Sequence, residues 1–164
     1  MENIRQLIKS IMDQGVLLNL ATYDSKGPWA CSVSYINDAR FNVYWISDNN
    51  SRHSKAIIKN HKAAGTITLT DRGRTGQKLV GLQVEGRAER VEDNILEIAT
   101  THVFQGGREV PHRNYKLGAG KSWYKLEPTK VDLIYEPSFG MVKKQLRLPS
   151  KKDSDKYYRF WKST

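Results

Sequence analysis

Short alternating segments separated by turn residues are the feature that most limits the fold of this chain. Leu18, Leu20 and Thr22 alternate with their neighbours, and the run ends at the turn sequence DSKGP, residues 24–28. Period-two alternation interrupted by Asp, Gly and Pro is typical of antiparallel strands joined by tight turns. We therefore expect a fold made mainly of β-strands.

About six strands account for the pattern. We place two of them around the turn within 16–36, and the others at 41–47, 64–70, 79–91 and 123–135, the last hinged at 127–129. Gly81 or Gly86 is expected to mark a bulge or a close backbone approach in the fifth strand.

The helices expected between these strands are short. Residues 3–14 place apolar side chains on one helical face and end at Gly15, and residues 51–62 form a second helix with Ser51 as its cap. A third helix is expected to open at 92–93, followed by a loop over 106–121. Six strands with so few helices predict a small antiparallel barrel and argue against a doubly wound sheet.

Charge and cysteine usage restrict the class of protein. The 164 residues carry a formal charge of +10, and the single cysteine, Cys31, excludes an intramolecular disulfide framework. None of the four histidines has a partner at metal-ligand spacing, so no metal site is expected. No secretory signal or membrane span is visible, and we expect a reduced, cytoplasmic protein.

More than half of the net charge lies in residues 143–164, with eight basic residues against two acidic ones. We treat 1–142 as the barrel domain and 143–164 as a basic, aromatic-rich arm or helix. Lys and Arg interleaved with Tyr157, Tyr158, Phe160 and Trp161 are typical of single-stranded nucleic-acid binders. Four aromatic side chains so close together are more often docked than exposed, so a nucleic-acid partner is disfavoured.

The segment after the third strand has the composition of an anion site. Ser51, Arg52, His53, Ser54 and Lys55 follow a polar turn and open a helix, where unpaired N–H groups and fixed positive charge attract phosphate. A solvated, capped helix is the alternative explanation. Neither a nucleophile elbow nor a glycine-rich nucleotide loop occurs, and no catalytic side chain is predicted.

Three segments together resemble the pyridoxamine 5′-phosphate oxidase-like family of FMN-binding split barrels. They are SRHSK at 51–55 followed by AAGTIT, GLQVEGRA at 81–88, and WYKLEPTKVD at 123–132. The resemblance covers about residues 5–140 and implies a six-stranded antiparallel split barrel. It also implies a homodimer with FMN at the subunit interface and a small-molecule redox substrate.

The resemblance assigns cofactor-binding roles to five parts of the chain. The flavin-lining strand is matched by Cys31, Ser32, Val33 and Ser34, the strand end beside the ring by Ile46 and Ser47, and the phosphate turn by 51–55. Gln83 matches a flavin-contacting position, and Trp123 is a candidate from the second subunit. The oxidases proper carry an Arg-x-His pair where this chain reads KKQLRLP at 143–149, so the resemblance does not extend to pyridoxamine-phosphate oxidase activity.

Three hypotheses follow. The first is an FMN-dependent oxidoreductase, and the second is a non-catalytic flavin- or heme-binding split barrel that acts as a carrier, sensor or utilisation protein. For heme, no spacing distinguishes His53, His61, His102 and His112 as the iron ligand. The third hypothesis is binding of an anionic partner through the C-terminal arm.

Overall fold

The computed structural model describes residues 3–69, 78–91, 104–105, 108–109 and 117–149. The three described helices are α1 (Ile4–Gln14), α2 (Arg52–Lys59) and α3 (Glu136–Phe139). The described strands, in chain order, are β1 (Leu17–Asp24), β2 (Gly27–Ser34), β3 (Ile36–Asn37), β4 (Val43–Asp48), β5 (Lys62–Leu69), β6 (Val80–Val91), β7 (Phe104–Gln105), β8 (Arg108–Glu109), β9 (Lys121–Tyr135) and β10 (Lys144–Arg147).

One curled antiparallel sheet forms the body of the described chain. Its hydrogen-bonded order is β2-β1-β5-β6-β9-β4-β3, and β10 pairs with β9 outside this path. The two ends of the path, β2 and β3, are separated in sequence by Tyr35 alone. This covalent link holds the two edges of the sheet together at one end, so the sheet curls into a half-barrel.

The interior of the curl is apolar because alternate strand residues point inward. Leu18, Leu20, Ile67, Leu82 and Leu133 are fully or almost fully buried there. The apolar face of α1, with Ile8, Ile11 and Met12, packs onto the same core. The Tyr35 hydroxyl and the Asn37 amide both donate to the Met12 carbonyl, at 2.7 and 3.1 Å, and so fix the end of α1 to the strand that follows β2.

The bulge or close backbone approach expected at Gly81 or Gly86 is found at Gly86, which lies against the β9 backbone at a β-bulge whose extra residue, Thr129, belongs to β9. The pairing of β6 with β9 shifts between Glu85, opposite Lys130, and Gly86, opposite Pro128. Pro128 has no N–H to donate, and a bulge is one of the few places where a sheet accepts proline. β9 therefore runs unbroken from Lys121 to Tyr135, whereas the sequence suggested two pieces hinged at this proline.

The predicted number of six strands is wrong. The six long strands are present, but the path of the described sheet has seven, because β3 also pairs with β4, and β10 adds an eighth strand on β9. Both additions are very short, with two residues in β3 and four in β10, so local alternation does not reveal them. β8 falls in the segment expected to be a loop, while most of the helix expected after 92 lies outside the described residues.

Gly15 ends α1, as predicted, but not through the left-handed backbone conformation that glycine commonly adopts at a helix end. Its φ is −68°, which any residue can adopt, so the position does not need the freedom of glycine. A Cβ here would meet the Tyr35 hydroxyl and the Ile67 side chain. The absence of a side chain therefore allows the end of α1 to approach the sheet.

Among the described residues, no helix combines the length and the apolar character needed to cross a membrane. Of the segment 143–164, residues 144–147 form β10, and residues 150–164 lie outside the described part of the chain.

Candidate functional site

The start of α2 is shaped by the turn that follows β4. The Asp48 carboxylate accepts the N–H of Asn50 at 2.6 Å, and the N–H of Asn49 donates to the Gly120 carbonyl at 2.8 Å. Ser51 is the helix cap, as the sequence predicted, and its hydroxyl accepts the N–H of Ser54. The turn thus fixes the position of the start of α2 and of the SRHSK segment, residues 51–55.

Three hydroxyls gather around one imidazole on one side of this helix start. The Nε2 atom of His53 lies 2.7 Å from Ser47 Oγ and 3.1 Å from Ser51 Oγ, and Ser51 donates to Ser54 Oγ at 2.8 Å. Ser47 and Ser54 are buried, and burial lowers the pKa of His53. These four residues, the serine–histidine cluster, form a compact polar group in which burial favours the neutral form of the imidazole.

Arg52 points away from the serine–histidine cluster toward the β1–β2 turn. Its Nε and Nη2 atoms donate to the two carboxylate oxygens of Asp24, both at 2.9 Å, and Nη2 also donates to the Gly27 carbonyl at 3.3 Å. The guanidinium lies over the ring of Trp29, 4.7 Å from its centroid. Chiefly because of the hydrogen bonds from Arg52, the pKa of Asp24 is lowered to about 2.

A groove of about 630 Å³ lies between the β1–β2 turn and α2. Four basic side chains and one carboxylate line it: Lys26, Arg52, Lys55, Lys59 and Asp24. None of the three lysines makes a side-chain hydrogen bond or ion pair with another described residue. This basic groove therefore has surplus positive charge that an anion would neutralise.

Residues 31–34 alternate between the two faces of β2. Cys31 and Val33 pair with Leu20 and Leu18 on the inner face, and burial raises the pKa of the Cys31 thiol. Ser32 and Ser34 are exposed on the outer face. β2 lies at one end of the described sheet path and pairs only with β1 there, so over residues 29–33 its other edge offers backbone N–H and C=O groups to a ligand or a partner.

Ile46 and Ser47 also face opposite ways. Ser47 belongs to the serine–histidine cluster, while Ile46 lies directly opposite Trp123 across the β4–β9 pair, in a small apolar cluster with Tyr44 and Ile36. Trp123 is thus buried within its own chain, with 8% of its surface exposed.

Gln83 lies well apart from the predicted residues of β2. It lies on the outer face of β6. Across the sheet, Ser32 of β2 pairs with Asn19 of β1, Asn19 with Thr66 of β5, and Thr66 with Gln83, so Gln83 is three strands, or about 14 Å, from Ser32. Its Oε1 accepts a hydrogen bond from Lys143 Nζ at 2.7 Å. The structure therefore brings six of the predicted residues together in two places beside α2: Ser47, Ser51, His53 and Ser54 in the serine–histidine cluster, and Arg52 and Lys55 in the basic groove. Residues 31–34, Ile46, Gln83 and Trp123 lie in neither place.

Sequence reasoning missed Asp24, Lys26 and Lys59 as parts of the groove. Lys59 follows Lys55 by four residues and shares its helix face, which helical periodicity could have shown. Asp24 lies 28 positions before Arg52 and looks like an ordinary turn residue, so no local signal could have paired them.

No protein-family model and no curated protein matches this chain. Solved structures do match its fold. The heme binding protein from Mycobacterium smegmatis is 17% identical, with a TM-score of 0.69, over 90% of this chain and 59% of that protein. The chain thus spans less than two-thirds of that protein's length.

Two shorter proteins match as well. A candidate pyridoxamine 5′-phosphate oxidase from Listeria innocua is 18% identical, with a TM-score of 0.59, over 80% of this chain and 98% of its own. HutZ, the heme storage protein from Vibrio cholerae, is 17% identical, with a TM-score of 0.60, over 77% of this chain and 91% of its own. The chain shares the split-barrel fold of these three proteins. At these identities the likeness shows the split barrel alone, and the expected mainly-β class is confirmed.

Proposed function

We propose that this split barrel binds FMN and uses it to oxidise or reduce a small molecule. The observation that carries the proposal is the basic groove beside α2. Arg52 keeps two N–H donors on Nη1 beyond those given to Asp24 and Gly27, and Lys26, Lys55 and Lys59 add positive charge on long side chains. A phosphate ester of charge about −2 fits this donor set.

The edge of β2 beside the groove suits the flavin ring. An isoalloxazine carries carbonyl oxygens and ring nitrogens along one side, which pair well with the free backbone groups of an edge strand. Residues 31–34 and the strand end at 46–47 keep the roles that the resemblance implies. A second copy of the chain would complete the site at the subunit interface.

The protein's own part in the reaction would be to bind and orient. Bound FMN would supply the hydride or electron transfer. The basic groove would anchor the phosphate, and the edge of β2 would fix the plane of the ring. His53, whose pKa is lowered and whose Nε2 lies beside two hydroxyls, would remain neutral and hold the hydroxyls of Ser47 and Ser51 in place.

A fluorescence titration tests the proposal. FMN fluorescence should be quenched on addition of the full-length chain, and Lys55→Ala should weaken binding about threefold to tenfold through loss of one charged contact. Lys9→Ala removes the same charge from α1, where Lys9 pairs with Asp13, and should change nothing. Absence of quenching by the unmodified chain would refute FMN binding.

Heme is the second candidate, favoured by two of the similar structures, a heme binding protein and a heme storage protein, and by one histidine. The Nδ1 of His61 lies 3.0 Å from the Ala88 carbonyl, and because a carbonyl only accepts, Nδ1 carries the hydrogen. Nε2 then keeps its lone pair, the arrangement of a metal-binding imidazole. Of the two histidines in the described residues, His53 has its Nε2 engaged by hydroxyls, so His61 is the better iron ligand.

Addition of hemin separates the two candidates. A heme protein should give a Soret band that shifts in His61→Ala and not in His53→Ala. The basic groove could hold heme propionates, so anion binding alone does not decide. Quenching of FMN fluorescence without a shift in the Soret band of added hemin supports the flavin. A shifted Soret band without quenching of FMN fluorescence supports heme.

A further inference from the structure

The pairing of Arg52 with Asp24 uses one side of the guanidinium and leaves the other side uncommitted. Nε and Nη2 donate three hydrogen bonds, to the two Asp24 oxygens and to the Gly27 carbonyl, and Trp29 covers one face of the group. Three of the five donor hydrogens are thereby satisfied. The remaining two, on Nη1, have no acceptor among the described residues, and Arg52 lines the basic groove.

We propose that Asp24 is a positioning residue for phosphate: it fixes Arg52 side-on, so that both Nη1 hydrogens are held ready for the ligand's phosphate in the basic groove. This inference rests on the proposed function and deepens it. It assigns a role to a residue of the β1–β2 turn that belongs to none of the predicted binding segments.

The physical reason is preorganisation. A free arginine side chain has many rotamers and loses most of them when it binds an anion. Asp24, Gly27 and Trp29 hold Arg52 in one rotamer before the ligand arrives, and its side chain is only 30% exposed. The negative charge of Asp24 acts against phosphate, but four basic side chains share the groove with that one carboxylate.

Asp24→Asn is the informative substitution. An asparagine side-chain oxygen can still accept the N–H of Lys26, as Asp24 does at 2.8 Å, so the turn is preserved. The NH₂ group of asparagine would face an N–H donor of the guanidinium, so the bidentate hydrogen bonding with Arg52 is lost. Circular dichroism and thermal melting of the variant check that it folds.

FMN and riboflavin differ only in the phosphate, so their dissociation constants should respond differently. Asp24→Asn should weaken FMN binding about tenfold, the effect of losing one well-placed charged hydrogen bond, and leave riboflavin within about twofold. In an Arg52→Ala background the same change should have no further effect, because Asp24 acts through Arg52. FMN affinity that is unchanged or tighter, equal losses for both ligands, or additivity with Arg52→Ala would each overturn the inference.

Inorganic phosphate separates this inference from the proposed function. If the chain does not bind FMN yet binds inorganic phosphate more weakly in Asp24→Asn, the flavin proposal fails and the role of Asp24 is upheld. If the chain binds neither FMN nor inorganic phosphate, both are refuted.

Discussion

Gly86 is the position where the geometry of the barrel makes the sharpest prediction about stability. It lies at the bulge where β6 passes Pro128 of β9. A Cβ at Gly86 would lie 2.8 Å from Pro128 Cα and 2.9 Å from the Glu127 carbonyl carbon, and closer still to the Glu127 oxygen. These are backbone atoms, so no side-chain rotation can relieve the clash in Gly86→Ala.

The magnitude follows from two opposing terms. Overpacking against a fixed backbone costs about 2 to 3 kcal/mol of unfolding free energy. The lower chain entropy of unfolded alanine returns about 0.5 kcal/mol. A net loss of about 2 kcal/mol should lower the melting temperature of a chain this size by about 4 to 8 °C.

Differential scanning calorimetry of Gly86→Ala and a control measures this loss. Among the described residues, no heavy atom would lie nearer than 4.0 Å to a Cβ at Gly118, so Gly118→Ala should melt within about 2 °C of the unmodified chain. If Gly86→Ala has the same melting temperature as the unmodified chain, β6 and β9 do not approach each other as closely as the bulge requires.

Three further outcomes follow from the site. Burial lowers the pKa of His53 from its ordinary value of 6.5. As pH falls, the unfolded chain therefore binds a proton at this histidine before the folded chain does, and folding loses stability. The drop in melting temperature between about pH 7.5 and 5.5 should therefore be smaller in His53→Gln, and an equal drop would contradict the burial. Arg52→Ala should return the Asp24 pKa from about 2 toward 3.8 in a carbon NMR titration, and an unmoved pKa would refute the pairing. Gly27 has a φ of +102°, and a Cβ there would meet no described heavy atom within 4 Å. Gly27→Ala should lower the free energy of unfolding in urea by about 1 to 2 kcal/mol because of backbone strain, and no loss would show that the turn relaxes.

Much of the fold could be predicted from the sequence because it is locally encoded. The face of α1, the Ser51 cap and the turn ending at Gly27 each depend on residues close together in the chain. The bulge at Gly86 also depends on Pro128 in a distant strand, and only the glycine could be recognised in advance. β3 and β10 were missed because each has too few residues to show an alternating pattern. They are strands only because they pair with β4 and β9.

The candidate site was only partly predictable, for the same reason. Composition marked SRHSK as an anion site, and the structure splits it into the serine–histidine cluster and the basic groove. The split follows from helical rotation, which points Arg52 and His53 in different directions. The contact of Arg52 with Asp24 depends on how α2 packs against the β1–β2 turn, which local patterns do not encode.

The ratio of the riboflavin and FMN dissociation constants tests the central claim most directly. Both are measured by fluorescence quenching on the unmodified full-length chain, and the ligands differ only in the phosphate that the basic groove is proposed to hold. Charged hydrogen bonds of about 1.5 to 3 kcal/mol predict FMN binding about 10 to 100 times tighter than riboflavin binding. Equal affinities would contradict the assignment of the groove to the phosphate.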